Sequence, residues 1–494
     1  MKGFIERRGL WTPDQHRRCE EIRARVEKDG LKLIRLAWAD PHGAVRAKTL
    51  TVPAFLGALQ NGYNINVATA TLDGSGARTF ASFTRGGGMG LEEMTGSPNL
   101  VLVPDPVTFR VLPWERDTGW ILGDEYFASG RAFPFSTRRL LRNQLAGLAA
   151  RGMRCLVGLE VEWYLLRLAD DGLTFANIGS PGLRGPAIAT VPVEPGYSYH
   201  SESNFDLMHR PLAAIAGALD ELGLPLRSIE NEWGPGQVEC TFAPLEALQA
   251  ADSMVLFRSA TRQLCRRMGY LATFMCRPAL NGLYASGWHL HQSLVPAGGQ
   301  ANLFTPEHEG SALSPIGMNW LGGLLHHAAA GTVLANPTVN AYRRFRANSL
   351  APDRASWGVD HRGVMLRVLG GVSDPATRIE NRVGEPSANP YLFIASQLIA
   401  GLDGIENKRD PGPPDTDPYA TPHTMLPASL SQALALFEHE PLFRKELGEV
   451  FVDYYVSFKR TELTRFQRHL DEHNIAPESE DTTEWEHNEY FDFF

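Results

Sequence analysis

One short stretch constrains the fold of this chain more than any other: residues 284–294 read YASGWHLHQSL. Side chains of a β-strand alternate between two faces, so His289, His291 and Ser293 would lie together and the leucines between them would lie opposite. That face is too polar for a core and too regular for a loop. The alternation therefore predicts a two-faced strand that carries part of a functional site.

Composition bounds the size and class of the protein. The chain has 494 residues, of which 43% are hydrophobic, so it can bury a large core and form two or more structural units. No apolar run is long enough to span a bilayer, and the first residues lack the apolar core of a secretion signal. The five cysteines form no CxxC pair, so we expect reduced thiols in a cytoplasmic protein rather than disulfides or structural zinc.

The negative charge is concentrated at the C-terminal end. The formal net charge is −9, and residues 469–494 contain nine Asp or Glu and no Lys or Arg. The rest of the chain is nearly balanced, so no basic face for nucleic acid is expected. The same end is rich in aromatic residues, so a docked or partner-binding segment and a solvated one both stay open.

Patterns along the chain predict two parts. Residues 31–114 alternate short apolar runs with Gly- and Pro-rich turns, which is typical of a small, mostly β unit. From about residue 130, helix-like and strand-like stretches alternate. The segment GGGMG at 86–90 lacks the Lys-Ser/Thr and the GxGxxG spacing of phosphate-binding loops, which favours an ordinary loop. The boundaries that we predict are a helical extension at 1–29, a β unit at 30–125 and a catalytic unit at 126–494.

Two further strand-like pieces carry carboxylates. In GLEVEWYLL, Glu160 and Glu162 share one face, and the apolar residues share the other. In ENEWGPGQVEC, Glu232 stands just before a Gly-Pro-Gly turn, and Glu239 shares a face with Gln237 after it. A solvated surface strand and an ordinary hairpin are the alternatives for each piece taken singly.

Arginines accompany the carboxylates. In TRIENR, Arg378, Glu380 and Arg382 would lie on one face, although an exposed ladder of ion pairs would explain that pattern equally well. The preceding region supplies three more, Arg344, Arg362 and Arg367. The last two are five residues apart, so the chain must bend between them.

Taken together, these pieces indicate phosphate chemistry. Five carboxylates and a histidine converging without a counter-charge would raise one another's pKa values. Oxygen ligands with one imidazole suit Mg²⁺ or Mn²⁺ better than zinc. Arginines beside such metals are what phosphoryl transfer from ATP requires, because charge on the moving phosphate must be neutralised.

The order and spelling of these pieces resemble the glutamine synthetase family over roughly residues 30–490. Seven motifs occur in order: GLEVEWY, NEWGPGQVE, SGWHLHQSL, NPTVNAYRR, HRGVMLRV, RIENR and ANPYLFIASQLIAGLDGI. The resemblance implies an α+β fold in which a β-grasp domain precedes a catalytic domain whose antiparallel sheet lines the active site. It also implies a homo-oligomer, a dodecamer of two hexameric rings with active sites between subunits.

The resemblance also implies residue roles. The first of two or more Mg²⁺ or Mn²⁺ ions would be held by Glu162, Glu232 and Glu239, and the second by Glu160, His289 and Glu380. Nucleotide phosphates would be contacted by His291, Arg367 and Arg378, and the base by Ser293. Glutamate would be bound by Arg344 and Arg382, and the transferred phosphate would be steadied by the catalytic Arg362. ATP would phosphorylate the γ-carboxylate of L-glutamate, and an amine would then displace phosphate.

Departures from the family pattern concern the ammonium half of the site. Leu350 stands where glutamine synthetases have a glutamate that binds and deprotonates ammonium, Tyr284 and Ala285 replace an Asn-Gly pair, and Trp288 replaces a methionine. Asp73, in LDGSG, is the candidate for the ammonium-binding aspartate. The resemblance with these changes predicts a γ-glutamyl–amine ligase for an amine bulkier than ammonia.

The amine predicted is aromatic, such as aniline. Ammonium and alkylamines arrive protonated at neutral pH and require a carboxylate to take the proton, whereas an arylamine arrives neutral and gains from apolar walls. Leu350, Trp288 and Tyr284 could supply such walls. The alternatives are a polyamine or ethanolamine ligase, an ordinary glutamine synthetase, which Leu350 disfavours, and a structural or regulatory relative, which six intact metal ligands disfavour.

Overall fold

The protein has the predicted α+β organisation, with a small N-terminal sheet followed by a much larger sheet surrounded by helices. The computed structural model describes residues 2–169, 173–346, 350–477 and 479–494. Two helices precede the first sheet, α1 (Phe4–Arg8) and α2 (Pro13–Lys28). Helix α2 begins with a capping box, in which Thr12 and Gln15 satisfy each other's backbone N–H groups.

The N-terminal sheet has six strands. In spatial order β2, β1, β6, β4 and β3 lie side by side, and β5 pairs with β6. Only β1 and β6 are parallel, and the other pairs are antiparallel. The elements are β1 (Leu33–Ala39), β2 (Val45–Thr51), α3 (Val52–Asn61), β3 (Tyr63–Asn66), β4 (Asn99–Pro104), β5 (Arg110–Leu112) and β6 (Glu115–Tyr126). The segment at 86–90 lies between β3 and β4 as a loop with positive φ at Gly86, Gly87, Gly88 and Gly90, as predicted.

The second sheet has ten strands, and it positions the site. Its spatial order is β14, β15, β16, β13, β7, β10 and β9, and three short strands also pair with the long strand β7. All of its pairs are antiparallel except β14 with β15. The strands are β7 (Met153–Leu168), β8 (Thr190–Pro192), β9 (Leu226–Asn231), β10 (Gln237–Phe242), β11 (Leu245–Glu246), β12 (Tyr270–Thr273), β13 (Trp288–Pro296), β14 (Trp357–Val359), β15 (Leu366–Leu369) and β16 (Arg378–Gly384).

Further helices pack on this sheet and on one another. They are α4 (Thr137–Ala150), α5 (Glu202–Glu221), α6 (Ala247–Arg267), α7 (Pro315–His326), α8 (Ala328–Ala335), α9 (Pro390–Glu406), α10 (Leu430–His439), α11 (Pro441–Leu447), α12 (Glu449–His473) and α13 (Glu484–Tyr490). Helix α9 is almost entirely buried, and its N-cap Asn389 accepts hydrogen bonds from the N–H groups of Tyr391 and Leu392. None of the helices in the described ranges is both long and apolar enough to cross a bilayer.

A buried arginine joins the two parts of the molecule. Arg138 of α4 donates to Asp105, which directly follows β4, at 2.7 Å, to Asp124 of β6 at 2.8 Å and to Asp252 of α6 at 2.7 Å. Removing one partner would leave an uncompensated buried charge, so this network resists separation of the two parts. The five cysteines are buried and free, as the sequence predicts.

Candidate active site

Four adjacent strands bring the predicted polar residues to one face of the large sheet. His289 of β13 lies opposite Glu160 of β7, and Glu239 of β10 lies opposite Glu162. On the other side of β13, His291 lies opposite Glu380 of β16. Directly opposed residues of an antiparallel pair point to the same side, so the register alone gathers these side chains. The intervening residues of β7 are fully buried against the helices.

The potential ligand atoms converge into two groups that share Glu160. One group contains Glu160, Glu239 and His289, the other contains Glu160, His291 and Glu380, and the ligand atoms of each lie within 4.8 Å of one another. The Nδ1 atom of His289 lies 2.5 Å from Glu160 Oε1, and the Nε2 atom of His291 lies 3.0 Å from Glu160 Oε2. His291, predicted as a phosphate contact, is thus also within reach of a cation at the second group.

Glu162 and Glu232 border the same groups. Glu162 Oε1 lies 3.9 Å from His289 Nε2, while its other oxygen accepts from the N–H of Gly287 at 2.8 Å and from Gln237 Nε2 at 3.2 Å. Glu232 stands before the Gly-Pro-Gly turn, as predicted from the sequence. Burial and the charge of Glu162 raise the pKa of Glu232 to about 8. The two carboxylates are therefore close enough to repel each other.

The electrostatics of the cluster favour the binding of a cation. Burial and the charges of Glu160 and Glu162 raise the pKa of Glu239 to about 10. Burial also opposes ionisation of Glu160, but His289 and His291 outweigh it and lower its pKa. One carboxyl group is thus forced towards its neutral form by its neighbours. Carboxylate oxygens with one or two imidazoles fit an oxygen-preferring divalent cation, whose charge would let all of them ionise.

Arginines line the cluster on the β16 side. Arg382 donates to Glu380, and Arg367 donates to the other oxygen of Glu380 at 3.2 Å. Arg378 Nε lies 3.2 Å from His291 Nδ1. Burial opposes ionisation of Glu380, yet His289 and Arg382 hold the pKa of its carboxyl below the usual range. The face therefore presents guanidinium groups directly beside carboxylates that can bind metal.

Arg344 reaches the cluster from outside the sheet. Its guanidinium is buried and donates to the carbonyl oxygens of Arg382, Val383 and Gly384 at 3.0 to 3.2 Å. A Cβ atom at Gly287 would lie 2.4 Å from its Nη2 and 3.2 Å from His289 Nε2. Glycine at 287 thus permits the close approach of Arg344 to the metal-ligating face.

The remaining predicted contacts lie nearer the surface. Arg362 is exposed in the turn between β14 and β15, and the chain bends there as the spacing of Arg362 and Arg367 requires. Its charge acts on Tyr199, whose pKa is raised to about 12 by burial and Glu232 and lowered somewhat by Arg362. Ser293 is half-buried on β13, two residues beyond His291.

Of the four residues predicted for the amine pocket, Trp288 and Asp73 are buried within the chain. Trp288 is fully buried, with its ring 5.1 Å from that of Phe393. Asp73 is also buried, where it accepts from the N–H groups of Ser75 and Ala77 and pairs with Arg465 at 3.0 Å. Packing and turn capping occupy these two side chains within the chain.

Leu350 and Tyr284 are accessible. Leu350 is 64% exposed and has a φ of 55°. The residues just before it in the ANSLAP motif, 347–349, lie outside the described residues. Tyr284 is half exposed, and its backbone N–H and carbonyl both contact the hydroxyl of Tyr164 at 2.7 and 3.1 Å. Because Tyr164 is on the same face of β7 as Glu160 and Glu162, Tyr284 is tied to the side of the sheet that carries the ligands.

Tyr284 belongs to a cluster of exposed aromatic rings that the sequence did not indicate. The aromatic cluster consists of Tyr197, Trp233 and Tyr284, whose ring centroids are 6.0 to 6.4 Å apart in edge contacts. Each ring is 44 to 49% exposed. Glu194 accepts from the N–H groups of Gly196 and Gly236, which joins the loop of Tyr197 to the turn of Trp233. The sequence feature that could have indicated this cluster is the position of Trp233 directly after the predicted metal ligand Glu232.

Three comparisons place these observations among known proteins. The sequence model of the family described as glutamine synthetase, catalytic domain, matches residues 134–477 of this chain. The chain is 44% identical to a γ-glutamylanilide synthase from Acinetobacter sp, over 99% of this chain and 98% of that protein. It is 31% identical to a glutamate–isopropylamine ligase from Pseudomonas sp, over 92% and 96%. A solved complex of GmaS with ADP superimposes with a TM-score of 0.75 at 28% identity, covering 90% of this chain and 96% of that one.

Proposed function

Because this chain belongs to the glutamine synthetase family and is an ATP-dependent glutamate–amine ligase, we propose that its amine substrate is aromatic, such as aniline. An oxygen of the glutamate γ-carboxylate attacks the γ-phosphorus of ATP, and ADP leaves. The amine nitrogen then attacks the acyl carbon of γ-glutamyl phosphate, phosphate leaves, and the nitrogen loses a proton. The product is a γ-glutamyl amide.

Two ligand sets carry the proposed cations. Glu162, Glu232 and Glu239 would hold one Mg²⁺ or Mn²⁺ ion, and Glu160, His289 and Glu380 would hold another. When bound, the cations neutralise charge on the phosphates of ATP and on the glutamate carboxylates. The convergence of Glu160, Glu239, His289 and Glu380 on one sheet face and the raised pKa values of Glu232 and Glu239 support cation binding there, although the ligand atoms of Glu239 lie with those of Glu160 and His289.

The arginines complete the proposed mechanism. Arg344 and Arg382 bind the carboxylates of glutamate, and Arg367 and Arg378 contact the phosphates of ATP together with His291. Arg362, which is exposed in a turn and makes no hydrogen bond to the described residues, is free to contact the phosphate in transfer. Ser293 lies two residues along β13 from His291, on the side proposed for the base.

One observation carries the choice of an aromatic amine: three exposed aromatic rings lie together beside Glu232. Edge and face contacts with these rings would stabilise an aryl group. Leu350 supports the same reading, since an arylamine arrives neutral and requires no carboxylate at that position. The 44% identity with a γ-glutamylanilide synthase is in accord with it.

The test is a comparison of amines. Phosphate release is measured with ATP, glutamate and Mg²⁺ for aniline, methylamine, ethanolamine, putrescine and ammonium. We expect kcat/KM to be highest for aniline in the wild type, and to shift towards ammonium in Leu350→Glu. Leu350→Gln is the matched control, because it adds a polar side chain of the same length at the same positive φ without a charge. Preference of the wild type for a charged diamine would overturn the proposal.

The assembly and location are also proposals. We expect a homo-oligomer of two hexameric rings in the cytoplasm, with active sites between subunits, as the family resemblance implies. The absence of disulfides among the described residues is compatible with a reducing compartment. Light scattering coupled to size-exclusion chromatography measures the mass, and a stable, active monomer would contradict this expectation.

A further inference from the structure

The acidic C-terminal end is docked on the protein rather than solvated. Its last helix, α13, begins with a capping box in which Glu486 accepts from the N–H and the hydroxyl of Thr483, each at 2.9 Å. The Glu486 side chain is completely buried. A carboxylate with no exposure must be fully paired, so its other partners show what the segment holds.

Those partners lie at the base of the loop that carries Arg344. Arg343 donates to both oxygens of Glu486 at 3.1 Å, and Asn340 Nδ2 donates to Oε1 at 3.1 Å. Asn340 also exchanges hydrogen bonds with the backbone of Arg277 at 2.7 and 3.0 Å. One carboxylate thus caps its own helix and fixes the 3₁₀ turn Asn340–Arg343.

Neighbouring residues of the same segment reinforce this contact. Arg343 donates to the carbonyl of Ser479. Arg346 donates to the carbonyl of Glu480 at 2.9 Å and pairs with its carboxylate at 3.0 Å, and Arg277 donates to that carbonyl at 2.7 Å. Three arginines around one turn are therefore engaged by residues 479–486.

The turn leads directly into the site. Arg344 follows Arg343 in the chain, and its guanidinium lies against Gly287 while it donates to the carbonyls of residues 382–384. Holding an arginine side chain in one conformation costs the entropy of several rotatable bonds. The backbone from which Arg344 projects must therefore be fixed if the guanidinium is to stay in place. The buried pair of Glu486 with Arg343 supplies that constraint.

We propose that Glu486 is a positioning residue for glutamate: through Arg343 it orients the backbone that presents Arg344 to the substrate. This inference rests on the proposed role of Arg344 in glutamate binding. It assigns the C-terminal segment a part in substrate affinity, although none of the segment's described residues hydrogen-bonds to the ligand cluster. The acidic end is then a component of the site and not a solubilising tail.

The experiment separates glutamate affinity from the rest of catalysis. In Glu486→Gln, which keeps the shape and removes the charge, we expect KM for glutamate to rise about tenfold while kcat and KM for ATP change less than about threefold. Arg343→Gln should reproduce the change, and the double variant should be no worse than either single one, because both remove the same contact. Arg343→Lys keeps the charge and should lose less.

A matched control comes from the same segment. Asp492 pairs with Arg266 at 2.8 Å, on helix α6 rather than at the turn. Asp492→Asn also removes an ion pair of the C-terminal end, and we expect its KM for glutamate to stay at the wild-type value. An equal rise of KM for glutamate in Asp492→Asn, or additive effects of the Glu486 and Arg343 variants, would overturn the proposal.

A direct measurement of glutamate binding tests this inference independently of the proposed reaction. Calorimetric titration of glutamate into the full chain with Mg²⁺ and a non-hydrolysable ATP analogue requires no amine. Weaker glutamate binding in both Glu486→Gln and Arg343→Gln than in the wild type supports the inference even if no arylamine is turned over. Unchanged glutamate affinity in these variants refutes it even if aniline is the preferred substrate.

Discussion

Removing one ring of the aromatic cluster should reduce the use of aniline selectively. Trp233 is the largest of the three side chains and is 44% exposed, with its ring centroid 6.3 Å from that of Tyr197 and 6.4 Å from that of Tyr284. In Trp233→Ala the two tyrosine rings remain, but the wall between them and Glu232 is lost. The backbone N–H that donates to the Glu232 carboxylate at 3.1 Å is unaffected by the change.

The expected magnitude follows from the exposed area. A tryptophan buries about 150–250 Å² when fully covered, so an exposed fraction of 44% corresponds to about 65–110 Å². If an aryl ring covers about half of that, roughly 25 cal/mol per Å² gives about 1 kcal/mol. An edge or face contact adds about 0.5–1.5 kcal/mol. Together these contributions are about 1.5–2.5 kcal/mol, and at about 1.36 kcal/mol per tenfold kcat/KM for aniline should fall about 10- to 70-fold.

The assay compares aniline with methylamine in the same enzyme preparations. For methylamine, which has no ring, we expect kcat/KM of Trp233→Ala to stay within about twofold of the wild type, and KM for ATP to be unchanged. Trp233→Phe keeps an aromatic wall and should retain most of the activity with aniline. An equal loss with both amines would mean that Trp233 acts through Glu232, and no loss with aniline would mean that the ring does not meet the substrate. Either result refutes the reasoning.

Three further predictions concern the metal site and the core. Glu162→Ala and His289→Ala should each abolish turnover while light scattering finds the oligomer intact, because they remove ligands and not packing; near-normal turnover with Mg²⁺ or Mn²⁺ would contradict the ligand sets. A saturating cation, at about a hundred times its Kd, should stabilise the wild type by about 2.7 kcal/mol. Glu239→Gln should lose most of this gain without destabilising the metal-free protein, because the raised pKa of Glu239 already holds that carboxyl neutral when no cation is bound. Urea unfolding with Mg²⁺ and with chelator measures both. Burial raises the pKa of Glu125 to about 8, so the folded state holds its proton more tightly than the unfolded state, and its contribution to stability is full below about pH 4.5 and is lost as the pH rises to 8. Glu125→Gln should therefore remove that pH-dependent loss, which is about 5 kcal/mol at most, and an unchanged slope of unfolding free energy between pH 5 and 9 would refute the assignment.

The local periodicity of the sequence predicted much of the site. Alternation in GLEVEWYLL and in WHLHQSL predicts which side chains of each strand share a face, because the period of two is a property of the strand itself. The structure has those faces as predicted, with the ligands on one side and the leucines buried on the other. The same alternation assigns Trp288 to the buried face, since it is two residues before Leu290. The aromatic side chain of Trp288 led to its prediction as an amine-pocket residue, but its place in the alternation already indicated that it faces the core.

Features that depend on distant segments could not be read from the chain. The aromatic cluster joins residues 197, 233 and 284, and Glu194 and Tyr164 hold these segments together through contacts that no local pattern encodes. His291 approaches Glu160 because β13 lies between β7 and β16, an order that alternation does not specify.

The same division explains the acidic C-terminal end. Composition alone allowed a docked segment or a solvated one, because charge and aromatic content do not say which partners are available. Only the tertiary structure places Glu486 against Arg343 and Asn340, almost 150 residues earlier in the chain. Sequence determined the chemistry of each strand face, since that is fixed by neighbouring residues. The fold decided which faces, rings and charges meet, because those contacts depend on the packing of the whole chain.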